Sequence, residues 1–295
     1  MKKQLSNVIL TTATVAVVSV FWLNADVSRA QNQSADDGIP RTPMGQPNLS
    51  GIWQTNNEAH WDLEPHSARH GPLVEAGAHL AVPPGMGVVE GGRLPYKPEM
   101  REQQEQNQAN WLEQDPATKC YLPGVPRATY MPYPFQIFQA PDVTLITYQF
   151  AGADRMVYMD SDSESQVDAW MGHNTGRWEG DTLVIETTGQ IADTWFDRSG
   201  NFHSGWEMVV EERYTMVDEN TIQYEATIDD PNVYEEPWTI SMPIYRRQEP
   251  NMQMLEFKCV EFVEELMYGH LRAPGSPLGD GLPGGIEGTA GESED

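Results

Sequence analysis

The stretch Asn174-Thr175-Gly176-Arg177-Trp178-Glu179-Gly180-Asp181-Thr182-Leu183-Val184-Ile185-Glu186-Thr187-Thr188 reads as two β-strands folded about a tight turn. Asn174–Glu179 and Thr182–Thr188 are rich in β-branched and aromatic residues, and Glu-Gly-Asp between them is turn chemistry short enough for an antiparallel hairpin. The same pattern repeats outward. Period-two alternation predicts further strands at Phe135–Gln139, Val143–Phe150, Arg155–Met159, Met208–Val217, Thr221–Ile228, Trp238–Arg246 and Gln253–Phe262, and a short entry strand holds Gly51-Ile52-Trp53. Turn signals at Ala140-Pro141-Asp142, Asp218-Glu219-Asn220 and Glu249-Pro250-Asn251 separate them. About ten meandering strands without crossover helices predict a mainly β fold, an antiparallel up-and-down barrel.

Upstream of the strands the chain is less regular. Residues 31–47 read as a flexible lead-in, and 60–96 as coil with one helical turn near Leu73–Leu80. A helix is predicted over Pro98–Gln114, because proline suits a first helical position and Asp115-Pro116 is a stop. A single barrel domain is expected over 48–272, with its coil and helix at 48–133, followed by a disordered acidic tail at 273–295.

The first thirty residues carry Lys2 and Lys3, an apolar run from Val8 to Leu23, and Ser28-Arg29-Ala30. That is the layout of a secretory signal cut after Ala30; an uncleaved anchor is the alternative, although the run is short for a membrane span. The expected compartment is the periplasm or the exterior, with no membrane span after cleavage. Cys120 and Cys259 are the two cysteines, and in an exported chain they suggest one bridge, with two buried thiols as the alternative.

The 295 residues hold 18 Lys and Arg against 44 Asp and Glu, a net charge of −26. Nucleic-acid backbone binding would require clustered basic residues and is excluded as a function class. With 39% hydrophobic residues the chain can build a core despite its charge. Of the 43 acidic groups after residue 30, 25 fall between 151 and 272, so the charge belongs mainly to the strands and turns of the barrel. No phosphate-binding Gly-rich loop, GxSxG or HExxH occurs, which disfavours nucleotide-dependent transfer, serine hydrolysis of the α/β type and zincin proteolysis.

Gly51-Ile52-Trp53 and Gly176-Arg177-Trp178-Glu179-Gly180-Asp181-Thr182-Leu183-Val184-Ile185-Glu186 resemble a large group of exported, functionally uncharacterised bacterial proteins with lipocalin-like, or calycin-like, barrels. The resemblance continues through Trp61–His66, Cys120–Arg127, Pro132–Phe135, Thr194–Ser204 and Glu256–Glu265, most of residues 48–272. It implies fold and export, and no reaction. Members of that group often carry a second His shortly after the one matching His203, where this chain has Met208. A two-His metal site is therefore not expected.

Asp193-Thr194-Trp195-Phe196-Asp197-Arg198-Ser199-Gly200-Asn201-Phe202-His203 is the most suggestive segment for chemistry. Two carboxylates, an aromatic side chain and an imidazole at one barrel mouth could serve acid–base work if their pKa values are driven apart. The alternative is a loop whose aspartates bond backbone amides and whose Trp195 plugs the barrel end. His173 is a further candidate base. Trp195, Trp178, Arg213, Tyr214, Glu186 and His66 are candidate ligand contacts, with Arg213 or Tyr214 placed to hold a developing anion. His60, His66 and His70 have no recognised metal spacing, and Asp160–Asp168 lacks the Gly and Glu of a calcium loop, so neither metal nor cofactor is expected.

The sequence therefore predicts an exported barrel with an aromatic-lined cavity for a small apolar or aromatic molecule. A cofactor-independent lyase, isomerase or hydrolase built on Asp193, Asp197 and His203 is the alternative. An acidic envelope module without a ligand is the third.

Overall fold

The computed structural model describes residues 38–71 and 81–257. Contacts divide the chain between Ile39 and Pro40, and the unit described below begins at Pro40. The expected signal segment, the Leu73–Leu80 turn, Cys259 and the 273–295 tail lie outside the described residues.

Nine strands form a closed barrel in sequence order: β1 (Gly51–Thr55), β2 (Phe135–Gln139), β3 (Val143–Tyr148), β4 (Asp154–Met159), β5 (His173–Glu179), β6 (Thr182–Thr188), β7 (Val209–Asp218), β8 (Thr221–Asp229) and β9 (Trp238–Arg246). Closure is antiparallel, with Trp53 opposite Arg246 and Thr55 opposite Ile244. The β5–β6 hairpin pairs Glu179 with Thr182, leaving Gly180-Asp181 as a two-residue loop. Gly180 has φ of 62°, which a residue without Cβ adopts cheaply.

The structure corrects three expectations. The barrel is not wholly antiparallel, since β4 and β5 run parallel, Val157 opposite Asn174. Residues 160–172 carry the chain back to the end where β4 began, and a parallel pair needs such a long connection. The last expected strand is absent over 253–257, the part of Gln253–Phe262 that is described. Both edges of β9 are already taken, by β8 and by β1, so the sheet has no edge left to offer. The expected helix is two, α1 (Pro98–Ala109) and α2 (Trp111–Gln114), broken at Asn110.

The two ends of the barrel differ. Short hairpin turns at 140–142, 180–181 and 219–220 close one. At the other lie the long segments 56–71, 81–134, 189–208 and 230–237, which form a cap. Within the cap Val88–Glu90 pairs with β9 beyond the reach of β1, through Glu90 N–H to Thr239 O (2.9 Å) and Ser241 N–H to Val88 O (2.9 Å). The short α3 (Arg127–Tyr130) is fully buried. Its Arg127 guanidinium grips the Asp115 carboxylate with two bonds of 2.7 Å, while Asp115 also accepts from Ala117 N–H at 2.9 Å. The Asp-Pro stop is thus also an anchor for α3.

Helix α1 has no apolar stripe because its docking face is amide. Gln104 and Asn107 are its buried residues, and they donate to the carbonyls of Ser199 and Gly200 at 2.5 and 3.2 Å. The approach is close enough that a Cβ on Gly200, at φ 78°, would stand 2.5 Å from the Asn107 Cβ. Inside the barrel burial alternates with strand parity: Val210, Glu212, Tyr214 and Met216 are buried on β7, and Ile222, Tyr224, Ala226 and Ile228 on β8. Each such apolar side chain stabilises the fold by about 1.5–3 kcal/mol.

Candidate functional site

The 193–204 loop is a packed part of the cap. Asp193 is exposed and takes no part in it. Trp195 is buried with Trp111 and Leu112, and Trp61 and Phe202 pack against them. The Arg198 guanidinium sits in the corner made by the perpendicular rings of Trp61 and Trp111, 4.7 Å from each ring centroid, a cation–π arrangement that fixes the loop against α2.

Asp197 is buried and fully engaged. One oxygen accepts from Leu63 N–H (2.8 Å) and Asn201 Nδ2 (2.6 Å), the other from Asn201 N–H (3.2 Å). Burial pushes its pKa well above the ordinary value and the charge of Asp62 adds to that, against these hydrogen bonds. His203 is bonded at Nε2 to Thr194 Oγ1 (2.6 Å), its ring lies against Phe196, and burial drives its pKa down to about 3. Its Nδ1 is buried without a partner. Asp197 and His203 thus share the cap but each binds other groups, and Asp193 stands apart in solvent. A histidine that protonates near 3 is also a weak base at neutral pH.

The other candidates fall in several places. His173 Nε2 reaches the Ser163 carbonyl at 3.1 Å and the Ser163 hydroxyl at 3.0 Å. This contact borders an open groove of about 740 Å³, outside the barrel, lined also by Tyr158 and Val167. Arg213 and Glu186 point outward: Arg213 is tied to Glu179 (2.9 Å) and Glu211 (3.3 Å), and Glu186 is exposed. Trp178 shares the inward parity of Asn174 and is half-buried. His66 Nδ1 bonds the Glu64 carbonyl at 2.8 Å. His60 is buried, its pKa lowered by desolvation and then by the charges of Arg198 and Arg127. No group of three or more His, Cys, Asp or Glu converges as a metal site among the described residues. Cys120 ends the 116–119 turn, and its expected partner Cys259 is not among those residues.

Tyr214 does face inward, and it leads to a cluster that the sequence reasoning missed. At the cap-side half of the barrel Arg155 of β4 pairs with Glu212 of β7, both side chains 0% exposed. Glu212 Oε1 also accepts the hydroxyls of Tyr214 (3.0 Å) and Tyr224 (2.8 Å). Arg155 Nε donates to Asn174 Oδ1 (2.6 Å) and Nη2 to Thr187 Oγ1 (2.7 Å), and Thr187 Oγ1 donates to Asn174 Oδ1 (2.8 Å). Burial works against the charged guanidinium, but the charge and hydrogen bond of Glu212 together with Tyr148 and Tyr214 outweigh it and hold the Arg155 pKa well above the ordinary value. Tyr148 adds a hydroxyl shared with Thr129 of α3 at 3.3 Å; its pKa is raised by burial, with the charge of Arg155 opposing. Arg155 Nη1 is buried and has no partner.

The arrangement places an ion pair and three tyrosines inside a barrel otherwise lined by Phe135, Ile146, Val157, Ile185 and their neighbours. Such a constellation gives the apolar barrel interior one polar end, in which the Tyr214 and Tyr224 hydroxyls donate to Glu212. The arginine inside the barrel is Arg155, and Arg213 is outside. Strand phase is the signal that could have found it, since Arg155 is in step with Val157, and Glu212 with Val210 and Tyr214.

No protein-family model and no curated protein matches the chain.

Proposed function

We propose that the protein is an exported binding protein for a small, largely apolar or aromatic molecule, held in the cap-side half of the barrel. The observation that carries this reading is the Arg155–Glu212 pair with Tyr148, Tyr214 and Tyr224, a single directed polar cluster in an apolar barrel interior. Small-molecule sites characteristically combine apolar walls with a few oriented polar groups, and barrel mouths favour them. The aromatic residues of the cap, Trp61, Trp111, Trp195 and Phe202, supply the lid that separates such a site from solvent.

Export by the segment 1–30, work in the periplasm or outside the cell, and a Cys120–Cys259 bridge complete the proposal. They rest on the basic, apolar and small-residue layout of the N-terminus and on the resemblance to exported calycin-like barrels. The test is native mass spectrometry of the protein purified from its own envelope. Release of a small molecule on denaturation supports the reading, and a native mass equal to that of the polypeptide counts against it.

A further inference from the structure

The outward face of β2–β4 carries an apolar strip. On β4 the outward residues are Asp154, Met156 and Tyr158, with Met156 50% and Tyr158 42% exposed. The register sets Leu145 of β3 opposite Met156, Phe138 of β2 opposite Leu145, and Val143 opposite Tyr158. Phe138 is exposed and Val143 and Leu145 are half-buried, so these five side chains form one surface across three strands. The Tyr158 ring stacks on His173, with 5.8 Å between centroids, and beyond them the strip opens into the groove of about 740 Å³ that Val167 and Glu164 also line. Exposed apolar residues scattered singly need no explanation, whereas a contiguous strip marks an interaction site.

The charge around the strip is one-signed. Residues 135–176 hold Asp142, Asp154, Asp160, Asp162, Glu164 and Asp168, and their one Lys or Arg is Arg155, which is buried inside the barrel. All six acidic residues are exposed, and none is in an ion pair among the described residues. Arg177, on the adjoining strand, is already tied to Glu179 and Glu211. We propose that this strip and groove dock a basic amphipathic segment of a partner protein, apolar along one face with Lys or Arg at its margins. Asp154 and Asp160 bracket Met156 and Tyr158 along the strand, a span of about 20 Å, which a helix of about 14 residues matches. Charge argues against the other occupants. A second copy of the chain brings the same six carboxylates, and its own residues 258–272 carry Glu261, Glu264 and Glu265 against Lys258 and Arg272. An acidic rim steers and selects a basic partner, while the apolar strip supplies the hold.

The probe is a fluorophore-labelled synthetic peptide of about 14 residues, with Leu at positions i, i+3, i+4 and i+7 of each helical repeat and Lys elsewhere, titrated against the purified full chain by anisotropy. The peptide should bind, and binding should weaken about tenfold or more when its Leu residues become Ser, when its Lys residues become Glu, and when salt is raised from about 0.05 to 0.5 M. On the protein, Met156→Thr/Tyr158→Thr and Asp154→Asn/Asp160→Asn should each weaken binding about tenfold, and threonine at exposed strand positions keeps the fold. Glu235→Gln/Glu236→Gln removes two exposed acids from the cap and should leave binding within about twofold. Equal weakening by that cap variant overturns the proposal, because net charge alone then holds the peptide. Undiminished binding by Met156→Thr/Tyr158→Thr overturns it too, as does absence of binding by the parent at low salt. Self-association of the parent that disappears in Met156→Thr/Tyr158→Thr, read by analytical ultracentrifugation, also overturns it, since a second copy then covers the face.

Discussion

Arg155 on β4 and Glu212 on β7 meet inside the barrel as an ion pair with no solvent exposure on either side chain. The strands that carry them are not neighbours, and Asn174 and Thr187, on the strands between, complete the bridge. A buried pair of this kind is a weak contributor to stability as a pair but an expensive one to break, because removing one member leaves the other charge buried alone.

Glu212→Leu should therefore destabilise the protein by about 3–5 kcal/mol, and Arg155→Met by a similar amount. The double variant Arg155→Met/Glu212→Leu should lose much less than the sum of the two single variants, since no lone charge remains. Chemical denaturation of the four proteins measures this cycle. Additive losses would mean that the two side chains act independently.

Asp197 holds the cap together through Leu63 and Asn201. Asp197→Ala should cost about 2–4 kcal/mol by stranding those donors. Asp193→Ala, at an exposed position, should stay within about 0.5 kcal/mol of the parent. Thermal unfolding of both variants checks the contrast, and equal effects would contradict the division of the loop into an engaged and a free carboxylate.

The pH dependence follows from His203. Its folded pKa of about 3 lies below the ordinary 6.5, so between those values the unfolded chain binds a proton that the folded protein refuses. The stability tied to the neutral ring is complete above pH 6.5 and is lost as pH falls toward 3, with a slope of up to about 1.4 kcal/mol per pH unit. His60, also lowered, acts in the same direction. Asp197 and Asp62, both raised by burial, act oppositely and add stability as pH falls through their folded values. His203→Gln should flatten the acid limb by about one proton, read from urea denaturation at a series of pH values. An unchanged limb would show that His203 protonates without penalty.

Much of the barrel was legible in the sequence because one face of most strands is apolar and the turns carry Gly, Pro, Asn and Asp. The β5–β6 hairpin is the clearest case. The parallel β4–β5 pair was not legible, since a polar 160–172 segment looks the same whether it closes a hairpin or crosses an end. Arg155 was hidden for a similar reason: its outward neighbours Met156 and Tyr158 are exposed apolar residues, 50% and 42%, so the alternation of β4 does not announce which face is inside. Glu212 was masked by Glu211, the adjacent acid that points out to Arg177 and Arg213. The loop residues Asp197 and His203 were legible as polar candidates within one aromatic-rich loop, but their separate partners, Leu63 and Thr194, depend on how the cap packs.

Whether the barrel holds a small molecule at the Arg155 cluster is tested by native mass spectrometry of protein purified from its own cells, parent and Tyr148→Phe side by side. The native mass should exceed that of the polypeptide by one small molecule, released on denaturation, with lower occupancy in the variant. A parent protein whose native and denatured masses agree would contradict it.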